Sequence, residues 1–316
     1  MASIWTMGEM LVEVMRPRAG MPLGETGGFL GPFPSGAPAI FIDTVARLGH
    51  PAGIIGGVGE DDFGRCLLDR LEADGVNCTY VLRIPHRSTA VAFVTYFDDG
   101  SRQFIFHIDG TPAVMADATS ATGIEDPGFF HIMGCSLMAN DSFGKNIVRT
   151  MASFHERGAR ISFDPNIRFE LLGNRKLESV VAPVLEHCSV LFPGAAELEL
   201  LTGKKEIESG IQKLFDIWPV EIVVVKCGKN GSIIYTRSSE VQIPAYQSEE
   251  VDPTGAGDCF DAAFLCGLLE EQSLESCGKM ASAVGGLNAA AFGPMEGKIS
   301  KANVKEVICQ GHLKTC

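Results

Sequence analysis

The chain has no Lys/Arg-rich run, no C-x-x-C pair, no stretch apolar enough to span a membrane, and only four Tyr and two Trp. The first three absences each exclude a class, and the shortage of Tyr and Trp counts against an aromatic-walled pocket that 19 Phe keep open. Acidic residues outnumber basic ones by 39 to 26, for a net charge of −13, so the cationic footprint of a nucleic-acid binder is missing and no such partner is expected. The ten cysteines are scattered, with no histidine at zinc-ligand spacing. They read as reduced thiols, many of them small core residues. The uncharged stretch 280–295 is too short and too rich in Gly and Ala for a membrane span. The opening MASIWTMGEM lacks the basic-then-apolar order of a signal peptide, so a cytoplasmic location with no membrane partner is expected. Gly57-Val58-Gly59 is followed by Glu60, with the next glycine at Gly64, which breaks the dinucleotide spacing and excludes a dehydrogenase. Gly293-Pro294-Met295-Glu296-Gly297-Lys298 is one residue short of a Walker A loop, and Ile299 stands where Ser or Thr would touch magnesium. Both read as turns.

What is present is enough for a large core. A chain of 316 residues, 46% hydrophobic, can bury one core or one core plus a small appendage. Short β-rich runs at 53–58, 160–163, 190–192 and 221–225 each end in Gly, Pro or Asp, and each is followed by a helical pattern. That alternation predicts an α/β fold: a mostly parallel sheet between two helical layers. In 259–270, Phe260, Ala263, Phe264, Gly267 and Leu268 recur at helical spacing and mark one buried face of a helix starting near Gly257. Two stretches break the rhythm: the Gly/Pro-rich 14–35, and 88–108, where alternating strands at 90–97 and 102–108 flank the turn Asp98-Asp99-Gly100. They are expected to pair into a small β lid, leaving 1–13, 36–87 and 109–316 as the α/β domain that binds nucleotide and substrate. Gly228-Lys229-Asn230-Gly231 reads first as a hairpin turn, one able to lie beside a nucleotide.

The most informative segment is Val251-Asp252-Pro253-Thr254-Gly255-Ala256-Gly257-Asp258. Small residues opening a helix let backbone N–H groups converge where the helix dipole is positive, a ready site for a phosphate or oxyanion. A carboxylate there, Asp258, is expected to have its pKa lowered by that field and to stay ionised as a proton acceptor. The same residue also reads as an ordinary helix-capping acid after a Gly turn.

DPTGAGDCFDAAF at 252–264 resembles the C-terminal signature of the ribokinase-like, phosphofructokinase-B type carbohydrate kinases. SGAPAIFIDTVARLG at 35–49, GGVGEDDFG at 56–64, SFDPNIR at 162–168 and PGAAELELLTG at 193–203 are similar to four further motifs of that family, in family order over most of the chain. The resemblance implies a three-layer αβα domain with a small β lid, and transfer of the ATP γ-phosphoryl to a sugar hydroxyl. By it, Asp258 is the base, and the backbone of Gly255, Ala256 and Gly257 is the anion hole. Glu197 acts through magnesium-bound water, its bland alternative being a solvent-facing helix acid. Lys226 reaches a phosphate or else snorkels to solvent. Gly228, Gly231, Thr254 and Asn288 join the nucleotide site, and Asp252 is a candidate for a monovalent cation such as K⁺.

The sugar side departs more from the pattern. The first strand, MGEMLVEVM, carries Glu13 where Asp is common, Ser35 and Ile40 replace a Gly and an Asn, and Gly194 replaces another Asn. A polyol site must match each buried hydroxyl with a partner, so these changes alter which sugar is accepted. Gly36, Asn166 and Arg168 are the candidate contacts, with Arg102 and His107 from the lid strands. The DPNIR segment and Lys226 resemble the ketohexose and 2-keto-3-deoxy sugar acid branches more than ribokinase. The expected ligands are ATP, Mg²⁺ and a small sugar or sugar acid, and lids of this kind pair in some similar kinases, which makes a homodimer an expectation. A nucleoside kinase of the same fold and a non-catalytic sugar sensor are the alternatives; the intact GAGD argues against the sensor.

Overall fold

Segments of apolar alternation and of helical periodicity follow one another along the chain, and each buries its apolar side against the next. In the computed structural model, which describes residues 2–97, 101–117, 123–246 and 250–310, they stack into three layers. Numbered along the chain, the central sheet contains β1 (Ser3–Met7), β4 (Ala52–Gly59), β5 (Asn77–Ile84), β8 (Pro127–Met133), β9 (Arg160–Asp164), β10 (Cys188–Leu191), β11 (Ile222–Lys226), β12 (Ser232–Tyr235) and β13 (Glu240–Ile243). Their order is β13-β12-β11-β10-β9-β8-β1-β4-β5, parallel from β11 to β5 and antiparallel at the β11–β12–β13 edge. Alternate side chains enter opposite cores. Ile54 and Val224 pack with helices α1 (Ala37–Arg47), α2 (Asp62–Ala73), α9 (Ala256–Leu269) and α10 (Leu274–Ala289), while Ile55, Val223 and Val225 pack with α4 (Asp141–Glu156), α6 (Leu177–Leu185), α7 (Ala195–Thr202) and α8 (Ile207–Ile217). Short helices α3 (Gly134–Ala139) and α5 (Phe169–Leu172), with the C-terminal α11 (Lys301–Gln310), complete the described α-helices.

Helix α9 departs from the expected single buried face. Cys259, Asp261, Ala262, Leu265 and Cys266 are buried along with Ala263, Phe264 and Gly267 of the predicted stripe, while Phe260 and Leu268 are half-buried, because α1 and α10 flank the helix as it lies on the sheet. Gly267 admits that proximity, since a Cβ there would meet Cys277 Sγ at 2.9 Å.

The second sheet has the order β3-β2-β6-β7, from β2 (Leu11–Met15), β3 (Leu30–Ser35), β6 (Ala90–Tyr96) and β7 (Arg102–His107). MGEMLVEVM is therefore two strands, not one. β1 ends at Met7 in the large sheet and β2 starts at Leu11 in the lid, so residues 11–13 lie in the lid, earlier than the boundary at 14. Gly8 makes the crossing: a Cβ there would meet Pro38 Cγ at 2.2 Å and Ser136 Oγ at 2.5 Å. The expected turn at 98–100 falls outside the described residues.

Candidate active site

β1, β8, β9 and β11 end on the same side of the sheet, and the N-terminus of α9 arrives beside them. Ligands gather at this edge in open α/β sheets. A cleft opens there, lined among others by Glu9, Glu13, Arg102, Asn166, Arg168 and Asp258. Gly36 and Thr254 also border it, as do the lid rings Phe104 and Phe106 and the thiol of Cys135.

Gly255 caps α9 in the left-handed region at φ 75°, and a Cβ there would meet Pro294 O at 2.5 Å, so the turn that aims the Ala256 and Gly257 amides needs glycine. Asp258 lies in the first turn and is 7% exposed. Its Oδ1 accepts from Asn166 Nδ2 at 3.2 Å. Burial, then the Asp164 carboxylate, pushes its pKa up from 3.8 to about 7, against the pull of Lys226, Arg168 and Arg102. The expectation that the helix N-terminus lowers this pKa is thus corrected. Desolvation outweighs the dipole because the carboxyl sits deep under the lid.

Asn166 holds φ 35°, its backbone N–H donates to Asp164 Oδ1 at 3.1 Å, and its Oδ1 is buried without a partner. Glu13 accepts from Ser35 Oγ at 2.7 Å through Oε1, while Oε2 is unpartnered. Burial lifts Glu13 to about 7, offset in part by the Ser35 bond. Ser35, noted as a departure, therefore holds the carboxylate that is the other departure. Glu9 was missed by sequence reasoning. Its carboxylate is 3% exposed, accepts from Cys135 Sγ at 3.1 Å and from Ser136 Oγ, and is raised by burial. The only signal was a Glu directly after Gly8 in an apolar run.

Arg168 is half-buried on the cleft wall with Nη1 donating to Ile167 O at 3.0 Å. Arg102 reaches the cleft from β7, but His107 does not. Side chains alternate along a strand, and positions 102 and 107 differ by an odd number, so His107 faces the outer side, against the edge of Phe93. The expectation that both enter the site is corrected by that parity.

Behind Asp258 lies a buried ion cluster. Lys226 Nζ donates to Asp164 Oδ2 at 2.7 Å and to Asp261 Oδ2 at 3.1 Å. Burial alone would lower the lysine pKa, but Asp164, Asp261 and Glu197 drive it up, so it stays charged. Burial would raise Asp164, yet Lys226 holds it down, while burial pushes Asp261 well up against the pull of the same lysine. The side chain neither snorkels to solvent nor extends past the cluster. It lies under the anion hole instead, 3.7 Å from where a Gly257 Cβ would be.

Glu197 is not a solvent-facing helix acid either. It is half-buried, Oε1 accepts from Ile167 N and Oε2 from Gly194 N, both at 2.8 Å, so it satisfies the backbone at the start of α7 and ties α7 to the Asn166–Arg168 loop. The loop before the anion hole is stapled in the same manner. Asp252 Oδ1 accepts from Tyr96 Oη at 2.7 Å, Thr254 N at 3.0 Å and Thr254 Oγ1 at 2.6 Å, and Oδ2 accepts from Gly293 N at 2.9 Å. Asp252 thus closes the loop, with Oδ1 accepting three bonds and Oδ2 one. Asn288, fully buried, donates to Thr254 O at 2.8 Å and Pro294 O at 3.0 Å. It staples the loop through its amide nitrogen, while its Oδ1 is buried without a partner. Gly228 and Gly231 bracket the β11–β12 turn at φ 56° and 86°.

A model of the pfkB family carbohydrate kinases matches residues 6–301. The chain belongs to that family. It is therefore a carbohydrate kinase, a phosphotransferase acting on an alcohol group. It is 31% identical to fructokinase-1 of Zea mays over 96% of each chain. A candidate ribokinase II from E. coli, solved with ATP and Mg²⁺, is 36% identical with TM-score 0.88, over 98% of this chain and 100% of that one. A fructokinase double mutant from Vibrio cholerae O395, solved with fructose, ADP and potassium, is 26% identical with TM-score 0.87, over 97% and 98%. The fold of this kinase is ribokinase-like, with a small antiparallel-edged lid sheet, and no described helix is long and apolar enough to cross a membrane. A kinase needs ATP and a divalent metal. No three His, Cys, Asp or Glu among the described residues form a metal cage.

Proposed function

We propose that this kinase transfers the γ-phosphoryl of ATP to a hydroxyl of a ketohexose, with fructose the first candidate. The observation that carries this is the cleft lining, where Asp258, Glu9 and the lid's Glu13 present acceptors, one oxygen of Glu13 and one of Asn166 being unpartnered. Sugar hydroxyls donate, and buried acceptors want donors. A sugar acid would bring a carboxylate against Glu9 and Glu13, a like-charge cost that Arg168 and Arg102 would have to offset. The similarity to fructokinases supports the same choice.

In the reaction the sugar oxygen attacks the γ-phosphorus, the bond from that phosphorus to the β,γ-bridging oxygen breaks, and ADP leaves with the electron pair. Asp258 takes the hydroxyl proton. The amides of Gly255, Ala256 and Gly257 face the oxygens of the group in transit, and Mg²⁺, when bound, offsets phosphate charge. Asn166 fixes the Asp258 carboxylate through its 3.2 Å hydrogen bond. Glu197 holds the Asn166–Arg168 loop in register, and the Gly228–Gly231 turn borders the nucleotide. The lid also exposes Phe29, Leu30, Phe97 and Ile105, apolar surface that supports lid-to-lid pairing in a homodimer.

A coupled ADP-release assay over fructose, other hexoses, 2-keto-3-deoxygluconate and adenosine tests the reading. Fructose is expected to give the highest kcat/KM. A sugar acid or nucleoside turning over tenfold better would overturn it.

A further inference from the structure

The lid does more than cover the cleft, because two of its side chains rest on the segment that builds the anion hole. Tyr96, the last residue of β6, points its hydroxyl off the lid, donates to Asp252 Oδ1 at 2.7 Å and contacts Thr254 Oγ1. Phe33 of β3 meets the Phe292 ring edge-on at 5.8 Å and lies 3.0 Å from where a Gly293 Cβ would be. Asp252 joins the two ends of this contact, accepting from Thr254 on one side and from Gly293 on the other. Next along the chain stand Gly255, packed on Pro294 O, and the Ala256 and Gly257 amides. A short, closed network therefore runs from the lid to the amides that would hold the phosphoryl oxygens.

The sugar cleft meets the same network from inside. Tyr96 is paired across the lid sheet with Arg102. Directly opposed residues share one face of a sheet, with Cβ atoms about 4.5–5.5 Å apart. Arg102 lines the cleft, and its neighbour Tyr96 holds the loop. The cleft-facing and loop-facing contacts of the lid thus sit on one directly opposed pair.

We propose that Tyr96 is a positioning residue that makes the anion hole complete only when the lid is down. This rests on the sugar-kinase reading above and adds a residue to it. The hydroxyl does not touch substrate. It acts through Asp252 and Thr254, fixing the turn at Gly255 so that phosphoryl transfer waits for the lid and water meets an incomplete site.

The test is Tyr96→Phe, which keeps the ring and removes the hydroxyl. With the best sugar, kcat is expected to fall about tenfold, the scale of one hydrogen bond to a charged acceptor, with the sugar KM within about twofold. A lid that only shelters sugar would raise KM and leave kcat, and that result would overturn the proposal. Asp252→Asn and the double variant with Tyr96→Phe separate routes. Action through Asp252 predicts that the double variant loses less than the product of the two single losses, and a strictly multiplicative loss refutes it. A third readout needs no turnover. In the ligand-free protein, backbone amides of 254–258 are expected to exchange hydrogen several-fold faster in Tyr96→Phe than in the parent, and equal rates would sink the proposal. Since that measurement involves no sugar, a failure of the sugar-kinase reading leaves it intact.

Discussion

Replacing Asp258 with Asn separates catalysis from folding because the structure gives the two effects opposite signs. The carboxyl is 7% exposed, and burial lifts its pKa from 3.8 to about 7. The native state thus binds this proton more tightly than the unfolded chain. Its relative stabilisation is full below about pH 4 and is lost as pH rises to about 7, so the ionised form carries a cost at neutral pH and above. A shift of about three pH units is worth roughly 4 kcal/mol, an order-of-magnitude figure. Asn is isosteric and neutral, and its amide can donate to the unpartnered Asn166 Oδ1. The variant is therefore expected to melt higher than the parent at pH 8, with the difference closing at pH 4. Its kcat is expected to fall by about two to four orders of magnitude, the usual scale of a general base. ATP affinity should hold or rise slightly. If Asp258 were only a helix cap, Asn would change neither property by much, since it caps as well as Asp. Turnover, nucleotide affinity and melting temperature measured on one preparation decide it. A stable, ATP-binding variant that turns over near the parental rate would remove Asp258 from the mechanism.

Four further outcomes are expected. The pH profile of kcat/KM should rise through an inflection near 7 as Asp258 loses its proton; Glu13, raised to a similar value, is distinguished because Glu13→Gln should keep the inflection, and its disappearance would reassign it. Arg168→Ala should cost roughly 2–5 kcal/mol in kcat/KM for the sugar while ATP binding holds, and unchanged sugar kinetics would make the residue structural. Excess chelator should abolish turnover and added Mg²⁺ restore it, whereas full activity in chelator would refute the metal requirement. Light scattering at micromolar concentration should give the mass of a dimer, and a lid carrying Ile105→Lys should give a monomer; a monomeric parent would dismiss the lid interface.

What the sequence made legible was whatever depends on neighbours along the chain. The parallel sheet, the helix opening near Gly257 and the lid strands follow from local periodicity and turn residues. The site needed distances that periodicity does not carry. Lys226 read as a free cation because nothing local says that Asp164 and Asp261, 62 and 35 positions away, enclose it. The sign at Asp258 was misjudged for a related reason: the helix dipole is visible in a local motif, but the burial that outweighs it is supplied by the lid and by β9. Glu197 and Asn288 were read by motif position, and their hydrogen bonds to Ile167 N and Pro294 O belong to the fold. His107 is different, since the odd spacing from Arg102 was available in the sequence all along. Glu9 had the faintest signal, and its role comes from Cys135 and Ser136, which α3 brings from far along the chain.

The crossing at Gly8–Met10 has a mechanical consequence. β1 runs into β2 through three residues, and β3 returns to α1 through Gly36, so Glu9 and Gly36, both lining the cleft, lie where the lid is rooted. A rigid flap turning about its root moves least beside the axis and most at its far edge. Glu9 and Gly36 are pivot-side groups, already in place for an arriving sugar with the flap raised. Arg102 and Tyr96 sit across β6 and β7, away from that axis, and travel furthest when the flap lifts. The pivot therefore sets capture and the rim sets commitment, so substitutions near Glu9 should register in how tightly sugar is held and those near Tyr96 in how fast it is converted.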